Sequence, residues 1–184
     1  MTPNETTLLS FDDLLKIPAS HLPLIVLSDN IRSFLACAIK AYEKGNYNHS
    51  TTMHRPGQVA SQDFVFKERP IQDYQYAHRL ELWTNIYWSN KDRRSIKAAI
   101  KNDLARPLVC RGYDVVGVCL GQVLRLEWIQ IPWLRFCSES SAHYIGLRDS
   151  KVPKQPSPPD LRRWLNSEEQ YQRGYRIYGR YIGD

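Results

Sequence analysis

Two residue types in this chain can make a nucleophile and its base, a thiol and an imidazole. Cys137 lies in Trp133-Leu134-Arg135-Phe136-Cys137-Ser138-Glu139, where an apolar run gives way to helical character. A thiol opening a helix sits among unsatisfied backbone N–H groups at the positive end of the dipole, and both favour the thiolate. The same N–H groups can receive the oxyanion formed when a thiolate attacks a carbonyl. An ordinary buried Cys is the plainer reading, and a second element sets it aside. That element is Tyr47-Asn48-His49-Ser50-Thr51, which places His49 at the start of an expected strand, just after a helix ended by Gly45-Asn46. A strand-borne imidazole facing a helix-borne thiol can take its proton and open the way to an acyl-enzyme.

The remaining candidates read as structural. Cys37, Cys110 and Cys119 stand in apolar contexts and no two Cys show CxxC spacing, so reduced thiols are expected. His54 falls in a strand–turn region, and His143 falls six residues past Cys137, on the far side of its helix. His21 and His78 have no evident partner. His49 and His54 with one distant Cys do not make a zinc site, and Gly117-Val118-Cys119-Leu120-Gly121 lacks the Lys-Ser/Thr ending of a phosphate loop. No metal and no cofactor are expected.

The 184 residues amount to one domain, and 42% hydrophobic with 24% charged residues excludes a disordered chain. The longest apolar stretch, near Leu22 to Leu27, is far too short to span a bilayer. No secretory signal is visible at Met1, so the expectation is synthesis in the cytoplasm, with virion packaging or lysis as the way out. The net charge of +6 is dispersed. Its densest cluster, Lys91, Arg93, Arg94, Lys97 and Lys101, falls on one amphipathic helix and reads as a solvated face. The tail offsets Arg173, Arg176 and Arg180 with Glu168, Glu169 and Asp184, which disfavours nucleic acid as a partner.

The elements that must position Cys137 and His49 follow from periodicity. Residues 1–23 form an N-terminal extension with a short helix near 10–16. Leu24 to Leu27 reads as a buried strand, and 29–44 as a helix. Three antiparallel strands are expected between Tyr47 and Tyr87, with Pro56-Gly57 as a turn. Helices are expected over 90–105, 113–124 and 136–145, then a Pro-rich loop over 150–159 and a short helix at 160–165. The result is an α+β domain over 24–165 with a tail over 166–184. In the tail, Tyr171, Tyr175 and Tyr178 at helical spacing form a stripe that suits a protein partner, such as a virion or tail assembly.

Several short motifs resemble those of the circularly permuted NlpC-like papain-fold proteins, the YiiX group. Gly45-Asn46-Tyr47-Asn48-His49-Ser50, followed by Pro56-Gly57-Gln58-Val59-Ala60-Ser61-Gln62, is similar to the group's His motif. Tyr113-Asp114, Phe136-Cys137-Ser138-Glu139 and Ser157-Pro158-Pro159-Asp160-Leu161 are similar to its later segments. The resemblance spans about residues 24–165. It implies a papain-like, permuted NlpC-type fold, with a small antiparallel sheet or half-barrel packed on helices. It also implies Cys137 as nucleophile, His49 as general base and a polar residue on the next strand. Gln62 fills that third place, with Ser61 and Asp63 as its neighbours should the register shift by one.

The function implied is a cysteine hydrolase of amide bonds, acting on peptidoglycan stem peptides. A lipid or ester acyl hydrolase on the same fold is the nearest alternative. A non-enzymatic papain-like attachment module, for example a phage particle component, is the alternative of a different class. Trp83, Trp88, Trp128 and Trp133 are candidates for a groove wall, although core packing is the commoner use of such residues.

Overall fold

The computed structural model describes residues 7–8, 11–29, 47–63, 65–77, 79–112, 135 and 137–178. The helices expected over 29–44 and 113–124 lie outside these residues, as do Tyr113-Asp114, Cys37, Cys119, Trp128 and Trp133. The chain is α+β. Its strands are β1 (Thr7–Leu8), β2 (Leu24–Ser28), β3 (His49–Arg55), β4 (Gln58–Gln62), β5 (Phe66–Pro70), β6 (Arg79–Asn85) and β7 (Tyr171–Tyr178). The α-helices are α1 (Phe11–Leu14), α2 (Asn90–Leu104), α3 (Cys137–Gly146) and α4 (Pro158–Ser167). Short 3-10 turns span Ile71–Tyr74 and Leu108–Arg111.

All seven strands join one sheet in the order β1-β7-β6-β2-β3-β4-β5, antiparallel except for the β1–β7 pair. Central β2 is buried along its whole length, as an unbroken apolar run requires. Its alternate residues feed two cores. Ile25 and Leu27 join Ala60, Phe66, Trp83, Ile96, Ile100, Tyr144, Ile145, Leu161 and Leu165, where α2, α3 and α4 cover one face. Leu24 and Val26 join Met53, Val59, Leu80 and Leu82, roofed by Leu14, Ile17 and Leu22 of the N-terminal segment and by Ile71 and Tyr74. Trp83 and Trp88 belong to the first core rather than to a groove wall.

Two expectations are corrected. The stretch between Tyr47 and Tyr87 holds four strands, not three. The run from Val59 to Phe66 breaks at Asp63, and β5 (Phe-Lys-Glu-Arg-Pro) is a charged edge strand with no apolar alternation to announce it. The tail is not a helix with a tyrosine stripe. Tyr171 to Tyr178 is a strand held between β6 and β1, so pairing across the sheet overrides the i, i+4 spacing.

The capping chemistry of α4 accounts for one of the motifs quoted above. Ser157 Oγ accepts from the Asp160 N–H and the Asp160 carboxylate accepts from the Ser157 N–H, with prolines in the first turn. Ser157→Ala is expected to cost about 1 kcal/mol, read as a lower urea midpoint with an unchanged slope.

Candidate active site

Three local features hold α3 and the segment leading into β3. Ser50 Oγ donates to Ser141 Oγ at 2.7 Å, tying strand to helix. Ser138 Oγ donates to the Pro156 carbonyl at 2.6 Å, tying the first turn of α3 to the loop before α4. Tyr47, just ahead of His49, is fully buried with the Arg162 guanidinium 5.5 Å from its ring centroid. Arg162 is in turn anchored on the buried Glu81 at 3.1 Å. Ser138 beside the thiol and Ser50 beside the imidazole are therefore fixed by buried polar contacts.

Cys137 is the first residue of α3 and is 3% exposed. Its sulfur is in hydrogen-bonding contact with His49 and with the backbone N–H groups of Ser50 and Ser138. Burial alone would push this thiol up. The facing charge and hydrogen bond of His49, with the two N–H groups, overcome that and hold it below the ordinary thiol value. His49 is shifted the opposite way. Burial would lower it, but the Cys137 charge and hydrogen bond, then Asp63, raise it above the usual imidazole value against the opposition of Arg69. Each shift favours a thiolate–imidazolium pair.

The far nitrogen of the ring is held by a chain of hydroxyls. His49 Nε2 lies 3.1 Å from Ser61 Oγ, 3.3 Å from the Tyr74 hydroxyl and 3.4 Å from Asp63 Oδ1. Ser61 Oγ donates to Asp63 Oδ1 at 3.0 Å and accepts from the Tyr74 hydroxyl at 2.9 Å. With Ser61 donating to the carboxylate, its oxygen accepts from Nε2–H, which assigns the proton of neutral His49 to Nε2 and leaves Nδ1 to meet the thiol. Burial, then the Asp63 charge, raises the Tyr74 phenol, so it stays protonated and donates. Its ring stacks on the imidazole, 12° from parallel. Arg69 Nε closes the network 2.6 Å from Asp63 Oδ2 as an ion pair.

The structure thus brings together Cys137 and His49 but not Gln62, whose amide points elsewhere. Gln62 Nε2 donates to the carbonyls of Arg111 and Gly112, each at 3.0 Å. The reason is strand parity. Thr51 pairs with Ser61, and continuing that register sets His49 opposite Asp63, so Ser61 and Asp63 share the imidazole's face while Gln62 projects from the other. Orientation of His49 falls to Ser61 and Asp63, the neighbours one register step away. Tyr74 had no sequence signal, since it approaches from a 3-10 turn 25 residues further on. Ser61→Ala is expected to slow Cys137 alkylation near neutral pH by about tenfold, the Asp63 carboxylate remaining within reach. Gln62→Ala should leave that rate at the parental value.

His54 and His143 take other partners than the thiol. His54 is buried with Nε2 3.0 Å from Glu68 Oε1, and burial pushes it down. His143 packs edge-on against Tyr144, centroids 5.4 Å apart, and His78 lies outside the described residues. Among the described residues, no group of three or more His, Cys, Asp or Glu is placed to hold a metal ion. No described helix is long and apolar enough to cross a membrane. No family model, curated protein or solved structure matches the chain.

Proposed function

We propose that this protein is a cysteine hydrolase of amide bonds on a papain-like, permuted NlpC-type scaffold. The observation that carries this reading is the buried Cys137–His49 pair, its far ring nitrogen held by Ser61, Tyr74 and Asp63. The thiolate attacks the amide carbon, forming a C–S bond, and the N–H groups of Ser138 and Ser50 face the oxyanion. His49 Nδ1, holding the thiol proton, gives it to the leaving nitrogen as the C–N bond breaks. Water, deprotonated by the same nitrogen, then cleaves the thioester and releases the acid. Peptidoglycan stem peptides are the proposed substrate, supported by the motif resemblance, with virion packaging or lysis as the route to them.

The test pairs purified peptidoglycan fragments with acyl-ester probes, using Cys137→Ala as the blank. Amide turnover with an acyl adduct on Cys137 in intact-mass spectra is the expected result. Turnover of esters alone moves the substrate to acyl esters. If nothing is turned over and Cys137→Ala binds a partner as the parent does, the attachment module replaces the hydrolase. The pH profile of kcat/KM should be a bell. Its acid limb is set by the lowered Cys137, which must be ionised, and its alkaline limb by the raised His49, which must be protonated.

A further inference from the structure

The proton-transfer chain leaves unused a charged pocket beside α3. Arg106, Arg111 and Arg135 line it together with Gln62 and Ser140. Arg135 lies two residues before Cys137. Ser140 lies one turn after it on the same flank of the helix, about 4.5 Å along the axis at 1.5 Å per residue. The pocket therefore adjoins the first turn of α3, on the flank that faces Gln62.

The charges of its described lining residues do not cancel. Asp103 is the one carboxylate among the described lining residues. Asp103 Oδ1 pairs with Arg106 at 3.0 Å, while Oδ2 pairs with Arg135 at 3.3 Å and accepts from the Tyr144 hydroxyl at 2.9 Å. Among the described lining residues, one negative charge thus meets three guanidiniums. Arg111 directs NH1 to the carbonyls of Phe66 and Leu104, which are neutral. Its Nε is buried with no hydrogen-bond partner among the described residues. The two bonds from Gln62 to the carbonyls of Arg111 and Gly112 fix the backbone that carries this arginine. His143 registers the same field: burial first, then the Arg135 charge, lowers it, and Asp103 offsets this only in part.

We propose that this pocket receives a carboxylate of the substrate, so that the preferred amide carries a carboxylate within a residue or two of the bond cleaved. The word substrate rests on the hydrolase reading; the anion site does not, and the test separates them. Matched alkylating reagents, N-iodoacetylglycine and N-iodoacetylglycinamide, bring the same reactive head to Cys137 with and without a carboxylate about one helical turn away. The parent should react about tenfold faster with the acid at low salt, and the preference should shrink as salt is added. The imidazolium of His49 also attracts the acid, so the arginine variants isolate the pocket. Arg106→Gln and Arg111→Gln should each lower the acid-to-amide rate ratio about threefold. Arg106 is half exposed, so its variant decides the matter if Arg111→Gln loses the native circular dichroism. A ratio near unity in the parent, or one that Arg106→Gln leaves unchanged, overturns the proposal.

The source of the carboxylate is read from three peptide amides. One has an acidic side chain and an amidated end, one a neutral side chain and a free end, and one is neutral throughout. The faster of the first two names the source, whereas equal cleavage of all three counts against the pocket. A ratio that responds to the arginines with no amide turned over sinks the hydrolase and keeps the anion site. Turnover with an arginine-independent ratio does the reverse.

Discussion

Cys137→Ser is expected to lower amide turnover by about ten-thousandfold or more, with the fold intact. The substitution is nearly isosteric at a position 3% exposed, and the hydroxyl keeps the Ser50 and Ser138 N–H groups as partners, so packing has little to lose. What is lost is ionisation. The His49 network is arranged to hold a thiolate beside an imidazolium, and a hydroxyl cannot fill the anionic half of that pair near neutral pH. Cys110→Ser is the control. Cys110 is the more exposed of the two described thiols and lines the pocket beside α3, so a general effect of thiol loss would show there, whereas no loss comparable to that of Cys137→Ser is expected.

The second large effect concerns the base. His49→Ala should slow Cys137 alkylation by iodoacetamide at pH 6 by about thirtyfold or more, measured by mass spectrometry under limiting reagent. An ordinary thiol is only about 0.3% ionised at that pH, and burial without a facing charge lowers the fraction further. Part of the loss is returned, because a less stabilised thiolate is the better nucleophile. The parent should label Cys137 ahead of Cys110 although Cys110 is the more accessible thiol. That order reports activation rather than exposure. The result that would count against the pair is faster labelling of Cys110, or a Cys137 rate that does not change in the variant.

The elements legible in the sequence were those whose own residues settle their partners. Leu24-Ile25-Val26-Leu27 reads as a buried strand, and Ile96, Ala99, Ile100 and Leu104 at helical spacing mark α2. Cys137 at a helix start and His49 at a strand start were legible for the same reason. What escaped depends on pairing between distant segments. Tyr171, Tyr175 and Tyr178 have helical spacing, yet they lie in the sheet because β6 and β1 pair with their strand. The third position of the site turned on parity in β4, where one step separates Gln62, which braces Arg111, from Ser61, which holds His49. Tyr74 and Arg69 join that position only through the fold of β5 and the turn after it.

If Cys137 and His49 act as an ion pair within one buried network, the pH dependence of Cys137 alkylation reports it. The parent's rate constant for iodoacetamide is expected to rise at pH values below the ordinary thiol range of about 8.5 and to be already high near neutrality. In His49→Ala the rise should move upward, past that range. A single rise at or above about 8.5 in the parent, unaltered by His49→Ala, would rule the ion pair out.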